Sequence, residues 1–271
     1  MMTLIERLTH YPVKTVAVNG AVQAYREAGQ GQPLVLLHGI SSGSASWIKQ
    51  LETLSQHFHV IAWDAPGYGL SDGLNIDQPN AADYAERVLG LIDALNISKA
   101  IVVGHSLGAL QASAFAHLYP ERIQTLIIAN AAQGYQRSDE ETQAQVYQKR
   151  PNMLKSLGNA GMATSRGPHL IYKQDPQALA LVNEVMGQLT LEGFTRASYL
   201  LAYDEIRNYL TQLTVPCVVI AGDKDGITPA QAIKELAVEM QLSRCHLITD
   251  AGHLSYVDQP EQFNDIVLSA H

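Results

Sequence analysis

The chain has few cysteines, fewer basic than acidic residues and no long apolar run, and each shortage excludes a class of protein. Its 271 residues include two cysteines, and 18 lysines and arginines against 26 aspartates and glutamates. Two cysteines are too few for a disulfide framework or a cysteine metal centre, and their apolar surroundings predict buried free thiols at Cys217 and Cys245. The net charge of −8 argues against nucleic acid or an anionic membrane as the main partner.

Membrane and cofactor signatures are missing as well. No apolar run approaches the roughly 18 residues that span a bilayer, and residues 1–7 mix charges without the apolar stretch of a signal peptide. No Gly-x-Gly-x-x-Gly motif opens a helix and no His-Glu-x-x-His motif occurs, so we expect neither a nucleotide cofactor nor a catalytic metal. These absences predict a cytoplasmic protein whose partner is a small-molecule substrate, and they leave the oligomeric state open.

Short apolar runs alternate with amphipathic stretches through most of the chain. The runs end in glycine or aspartate and lack strict alternation, which is typical of strands buried on both faces of a parallel sheet. The alternation predicts a doubly wound α/β fold with a mostly parallel sheet. Strands are predicted at 13–18, 22–26, 34–37, 60–63, 100–103, 125–129, 217–221 and 246–249. Helices are predicted at 45–56, 81–95, 107–119, 229–240 and 260–270.

Residues 131–213 interrupt this alternation. They contain no convincing strand pattern, but helical patterns occur near 139–149, 176–187 and 191–204. We therefore expect a helical insertion that leaves the sheet after the sixth strand and returns before the seventh. Residues 1–130 and 214–271 would then form the core.

The segment Gly104-His105-Ser106-Leu107-Gly108 follows an apolar strand and opens a helix. Its glycines allow a sharp turn that raises Ser106 above the carboxyl end of the strand, at a helix N-terminus that favours negative charge. Ser106 is therefore the candidate nucleophile. The alternative is an accidental Gly-x-Ser-x-Gly pattern in a helix-start loop.

A serine nucleophile needs a base and an acid. Among the ten histidines, His253 follows the last predicted strand and precedes the last helix, which places it at the same sheet edge as Ser106. Asp223 and Asp225 both follow the strand at 217–221. We favour Asp225, which lies further into the loop, whereas Asp223 could brace the turn.

The third strand ends at His38-Gly39-Ile40, where a backbone amide can face a developing negative charge. The amides of Ile40 and Leu107 would together form a two-donor oxyanion hole. A plain turn after the strand is the alternative, and His38 could hold the loop in place.

With these residues identified, the chain resembles the α/β-hydrolase superfamily over essentially its whole length. The resemblance implies a helical lid at 131–213. It also implies Asp225 as the acid, because the family's acid usually stands three residues after the glycine that ends its strand. Serine at position 106 argues against dehalogenases and epoxide hydrolases, which have aspartate there. The matching segments are Leu36-Leu37-His38-Gly39, Asp64-Ala65-Pro66-Gly67-Tyr68-Gly69-Leu70-Ser71, Val103-Gly104-His105-Ser106-Leu107-Gly108, Gly222-Asp223-Lys224-Asp225 with Pro229, and Ala251-Gly252-His253.

The resemblance further implies a serine hydrolase of the carboxylesterase type that cleaves a small carboxylic ester. Enol-lactone hydrolases and the meta-cleavage-product hydrolases of carbon–carbon bonds are the alternatives, although the latter typically have tryptophan where this chain has Leu254. Less favoured are a ligand-sensing protein and a cofactor-free haloperoxidase, in which Trp47 would lie near the oxyanion loop. The lid would supply an apolar pocket from residues 153–186. Arg196 could contact a substrate carboxylate or be a solvated helix residue.

Overall fold

An eight-stranded sheet organises the chain, which the computed structural model describes over residues 2–270. The strands are β1 (Lys14–Val18), β2 (Ala21–Ala28), β3 (Gln32–Leu37), β4 (Phe58–Trp63), β5 (Ala100–His105), β6 (Ile123–Ala129), β7 (Cys217–Gly222) and β8 (Arg244–Ile248). Their order in the sheet is β1-β2-β4-β3-β5-β6-β7-β8. β2 is antiparallel to β1 and β4, and the other neighbours are parallel.

The central strands carry the apolar runs and lie in the core. Leu34 to Leu37 of β3 and Ala100 to Val103 of β5 have no exposed surface, as expected for strands covered by helices on both faces. At the edge of the sheet, Asn19 and Gly20 have φ values of 50° and 84° and join β1 to β2 through the predicted tight turn. The predicted α/β fold with a mostly parallel sheet is confirmed.

Helices follow most of the strands and cover both faces. The helix predicted at 45–56 begins as a 3-10 turn, Ser44–Trp47, before it becomes α-helical. The helix predicted at 260–270 starts at Pro260, which lacks the amide that a first turn leaves unbonded, whereas Pro229 precedes the first residue of the helix predicted at 229–240. Apart from three long helices between β6 and β7, the α-helices of the described chain are α1 (Leu4–Leu8), α2 (Ile48–Leu54), α3 (Ala81–Ala94), α4 (Leu107–Leu118), α8 (Arg207–Leu210), α9 (Ala230–Glu239), α10 (Ser255–Asp258) and α11 (Pro260–Leu268).

Between β6 and β7 the chain forms three long helices: α5 (Glu140–Arg166), α6 (Pro176–Gly187) and α7 (Leu191–Tyr203). The helix predicted at 139–149 is too short, since α5 continues through Pro151. The backbone bends at Gly158, where φ is 64° and ψ is 177°, a conformation that is essentially restricted to glycine. α5 is therefore two helical pieces joined at a glycine.

The two ends of this helical segment (residues 134–205) are fastened to each other. Gly134 and Glu205 form an isolated antiparallel β-bridge, and the amide of Ile206 donates to the carbonyl of Gln133 at 2.8 Å. A side chain at Gly134 would overlap the carbonyl of Asp204. The segment therefore leaves and rejoins the core at one point.

The prediction that both cysteines are buried free thiols is only partly correct. Cys217 and Cys245 are free thiols and Cys217 is half-buried, but Cys245 is exposed, so the predicted burial is wrong there. The reason is that β8 is the last strand of the sheet and leaves alternate residues uncovered.

No helix within residues 2–270 combines the length and the apolar character needed to cross a bilayer.

Candidate active site

Ser106 lies on a strained turn between β5 and α4. Its φ of 53° and ψ of −116° are outside the conformations that a residue with a side chain prefers. The turn is held on both sides, because the Ser106 amide donates to the carbonyl of Ala129 at 2.9 Å and its carbonyl accepts from the amide of Ala132 at 3.1 Å. The strain keeps the side chain above the sheet edge, with the start of α4 beneath it.

Glycines permit this turn by allowing close contact between backbones. A side chain at Gly108 would overlap the carbonyl of Leu37, and one at Gly104 would overlap that of Gly108. Gly39 lies just as close, since a Cβ there would be 2.9 Å from the Cβ of Ser106. The loop after β3 therefore packs directly against the serine.

The structure brings Ser106, His253 and Asp225 together, although they are far apart in the chain. The Nε2 of His253 lies 3.0 Å from the Oγ of Ser106. Its Nδ1 lies 2.9 Å from the Oδ2 of Asp225. All three side chains are nearly buried, with exposed fractions of 5 to 6%. The arrangement can pass a proton from the hydroxyl to the imidazole while the carboxylate holds the ring.

The Asp225 carboxylate is held in its charged form. Burial alone would oppose ionisation, but hydrogen bonds from His253 and Thr228 lower the pKa of Asp225 well below its usual range. The amides of Ile227 and Thr228 donate to its Oδ1 at 2.7 and 3.0 Å. A carboxylate with this many donors stays an anion at neutral pH.

Asp223 and Asp225, the two candidates for the acid that holds His253, have different surroundings. Asp223 accepts a hydrogen bond from the amide of Ala251 at 3.2 Å and pairs with Lys224 at 3.0 Å. It braces the turn beside the site, as the alternative interpretation proposed, while Asp225 lies against the histidine.

Asn130 belongs to the site and was missed by the sequence analysis. Its Nδ2 donates to the Oδ2 of Asp225 at 2.8 Å, and its Oδ1 accepts from the Oγ of Ser255 at 2.6 Å. It therefore links the acid to the helix that follows His253. The available signal was its position: a polar residue directly after the buried strand β6, at the same edge as the other site residues.

The backbone amides of Ile40 and Leu107 are both free to donate a hydrogen bond to an oxygen atom in the cavity. Within residues 2–270 neither donates a hydrogen bond. Leu107 opens α4, where a helix leaves its first amides unbonded. The peptide group that contains the Ile40 amide is held by His38, which bonds to the Gly39 carbonyl at 2.8 Å, and the Tyr68 hydroxyl donates to the following Ile40 carbonyl at 2.7 Å. Both residues line the cavity above Ser106.

Two buried histidines support the site without touching Ser106. His38 donates from Nδ1 to the Gly39 carbonyl at 2.8 Å and accepts from the amide of Ala65 at Nε2 at 2.9 Å. It therefore holds the loop, as predicted. The Nε2 of His105 donates to the His253 carbonyl at 2.7 Å. Burial lowers the pKa of His38 to about 4 and that of His105 to about 3, so both are neutral at pH 7.

A cavity of about 290 Å³ opens onto Ser106 and His253. Its wall from the helical segment includes Leu170 and Leu201, but also two arginines, Arg150 and Arg166. The expectation of an apolar wall from residues 153–186 is therefore wrong in part. A lone arginine on an amphipathic helix looks like a solvated residue, so the sequence offered no clear signal for either one.

Two other residues considered in the sequence lie outside the cavity. Arg196 pairs with Glu192 one turn earlier in its helix and donates to the carbonyl of Ile76 at 2.9 Å. Trp47 is fully buried and stacks on Tyr256 with ring centroids 3.8 Å apart. Both side chains are therefore engaged in contacts within the fold and not in the cavity.

Within residues 2–270, no group of three or more histidine, cysteine, aspartate or glutamate side chains is placed to hold a metal.

Comparisons with known proteins cover nearly the whole chain. A family model described as the alpha/beta hydrolase fold matches residues 32–260. The (E)-2-((N-methylformamido)methylene)succinate hydrolase of Acinetobacter baylyi is 26% identical over 91% of this chain and 92% of its own. The 3-oxoadipate enol-lactonase 2 of the same organism is 26% identical over 93% of this chain and 94% of its own. The crystal structure of the enol-lactonase from Burkholderia xenovorans is similar with a TM-score of 0.83 and 25% identity, over 94% of this chain and 98% of that one.

Proposed function

Because the chain belongs to the α/β-hydrolase family, we propose that it is a serine hydrolase that cleaves a small carboxylic ester through a covalent acyl-enzyme. The observation that carries the proposal is the continuous hydrogen-bonded path from Ser106 through His253 to Asp225. A serine hydroxyl is a weak nucleophile, and a neighbouring imidazole that accepts its proton makes it reactive at neutral pH.

In the first step, the Oγ of Ser106 bonds to the ester carbonyl carbon while its proton passes to the Nε2 of His253. The electron pair of the C=O bond moves onto the carbonyl oxygen, and the amides of Ile40 and Leu107 stabilise that negative charge. Each such donor contributes about 100- to 1000-fold in rate. The C=O bond then re-forms, the bond to the alcohol oxygen breaks, and His253 protonates the departing alcohol.

Water completes the cycle by the same route. His253 takes a proton from the water as its oxygen bonds to the acyl carbon, and the collapse of the second oxyanion breaks the bond to Ser106. The serine oxygen recovers its proton from His253, and the free acid leaves. Asp225 remains ionised throughout, orients the ring and stabilises the imidazolium.

Under this proposal residues 131–213 form a lid over a core of residues 1–130 and 214–271. Supporting this division, Ser106, His253 and Ile40 line the floor of the cavity, whereas Arg150 and Leu201 of the helical segment line its wall. The lid would therefore select the substrate, and the core would carry out the chemistry.

A lactone is the second candidate substrate, favoured by the similarity to enol-lactonases of Acinetobacter baylyi and Burkholderia xenovorans. A lactone is an internal ester, so the same steps apply and the leaving alcohol stays attached to the acyl chain. A panel of acyl esters and lactones, assayed by acid release, separates the two candidates.

Labelling with a fluorophosphonate tests the nucleophile. We expect the probe to attach to Ser106, as read by peptide mass spectrometry, and Ser106→Ala to lower kcat for 4-nitrophenyl esters by about 10⁴- to 10⁶-fold. Ser113→Ala is the matched control, since Ser113 lies in the same helix and bonds only to the carbonyl of Ala109. Labelling and turnover that persist in Ser106→Ala would show that the nucleophile is wrong.

A further inference from the structure

The cavity beside Ser106 contains two positive charges without a negative partner. Arg150 and Arg166 line it, and no aspartate or glutamate is among the described residues that do so. Several arginines elsewhere are paired, since Arg122, Arg196 and Arg207 each bond to a carboxylate. Arg87 also lacks a carboxylate partner in the described chain, but it does not line this cavity.

Neither guanidinium group has all of its hydrogen bonds made by the described part of the protein. In the described part of the chain, Arg150 makes no hydrogen bond and no ion pair, and the Nε of Arg166 is fully buried without a hydrogen-bond partner. Burial and the positive charge of Arg166 lower the pKa of Arg150. A guanidinium remains charged even so, and a charge removed from water without a partner is costly. Both groups would gain from an anion between them.

The position of the two arginines is set by the bend in α5. Arg150 lies before Gly158 and Arg166 is the last residue after it. Arg150 is also close enough to Tyr68, whose hydroxyl donates to the Ile40 carbonyl, for its positive charge to act on that hydroxyl. The positive charge therefore faces the same space as the oxyanion loop, on the wall opposite the core.

We infer that the substrate carries a carboxylate remote from the ester that is cleaved, and that Arg150 and Arg166 bind it. This inference rests on the proposed serine hydrolase function. Planar guanidinium groups match carboxylates through paired hydrogen bonds, which gives both affinity and orientation. A substrate fixed at this end would present its ester carbonyl to Ser106 in one orientation.

A pair of esters of equal chain length tests the inference. Mono-4-nitrophenyl glutarate carries a terminal carboxylate where 4-nitrophenyl pentanoate has a methyl group. We expect the ratio of their kcat/KM values, anionic over neutral, to fall about 10- to 100-fold in Arg150→Met and in Arg166→Met, as for a lost charge-assisted hydrogen bond. Arg137→Met is the matched control, because Arg137 is exposed and pairs with Glu239 outside the cavity. A ratio that stays within about twofold in both variants overturns the inference.

A binding measurement separates this result from a failure of the proposed nucleophile. Titration calorimetry of Ser106→Ala with glutarate needs no turnover, and we expect binding that weakens at least about 10-fold when Arg150→Met is added. If neither ester is turned over, the calorimetry decides alone: arginine-dependent binding of glutarate supports the anion site, and absent or arginine-independent binding overturns it. Thermal melting of each variant checks that the fold is retained.

Discussion

The sheet edge and the helical segment contribute to the same cavity in different ways. At the sheet edge, Ser106, Asp225 and His253 each follow a strand, and parallel strands bring those positions together whatever lies between them. In the helical segment, Arg150 and Arg166 reach the cavity only because α5 bends at Gly158 and packs against α7. The topology of the sheet therefore positions Ser106, Asp225 and His253, whereas helix packing positions the two arginines.

The sheet edge and the helical segment also contain glycines with different amounts of space around them. Gly108 is in such close contact with Leu37 that no side chain fits, whereas Gly187, at the end of α6, has open space around it. A larger residue therefore fits at Gly187 but not at Gly108. The helical segment is packed as tightly where it meets the rest of the fold, as at Gly193, where a Cβ would overlap the Gly67 carbonyl.

Asp225→Asn should have the largest effect and test the sheet edge directly. The amide cannot hold the imidazole in the tautomer that accepts the serine proton, so we expect kcat for a 4-nitrophenyl ester to fall by about 10⁴-fold. Asp223→Asn is the control, with kcat expected within about threefold of wild type because Asp223 only braces the turn. Comparable losses in both variants would contradict the assignment of the acid.

Gly108→Ala and Gly187→Ala compare the two regions in stability. The first forces a methyl group into the Leu37 carbonyl, and we expect the free energy of unfolding to fall by about 3 kcal/mol. The second replaces a helical glycine that has free space and an ordinary φ, and we expect a gain of about 0.5 kcal/mol. Urea denaturation measures both values. Equal changes would remove the contrast between the regions.

Tyr68→Phe tests the boundary between the regions, with the smallest expected effect. Removing the hydroxyl frees the Ile40 carbonyl and loosens the loop that carries the Ile40 amide, so we expect kcat to fall about 10-fold with KM within about twofold. Tyr84→Phe is the control, because the buried Tyr84 hydroxyl has no hydrogen-bond partner in the described chain and its loss should leave kcat unchanged. A change confined to KM would assign Tyr68 to the pocket wall instead of the oxyanion loop.

The strand positions and the sheet edge could be predicted because they depend on local signals. Gly104 and Gly108 mark the strand–turn–helix around Ser106, and Asp225 and His253 follow runs whose pattern predicts strands. Asn130 carried the same signal, since it directly follows β6, but a lone asparagine after a strand is also a common turn residue.

The pocket wall could not be predicted because it depends on long-range packing. The sequence predicts a helix only near 139–149, yet α5 continues past Pro151 and bends only at Gly158. Without that bend neither Arg150 nor Arg166 can be assigned to the cavity. Cys245 shows the same limit, since its exposure depends on β8 being the last strand of the sheet.

The bridge between Gly134 and Glu205 has a consequence for how such a protein can be altered. Because the segment departs and returns at neighbouring residues, a replacement of different length would leave the spacing of the strands unchanged, provided that it keeps the contacts of Leu170 with Leu254 and of Thr190 with Gly67. New specificities could thus be obtained by transplanting such a replacement, while Asn130, anchored to Asp225 just outside the bridge, keeps the reactive groups in place.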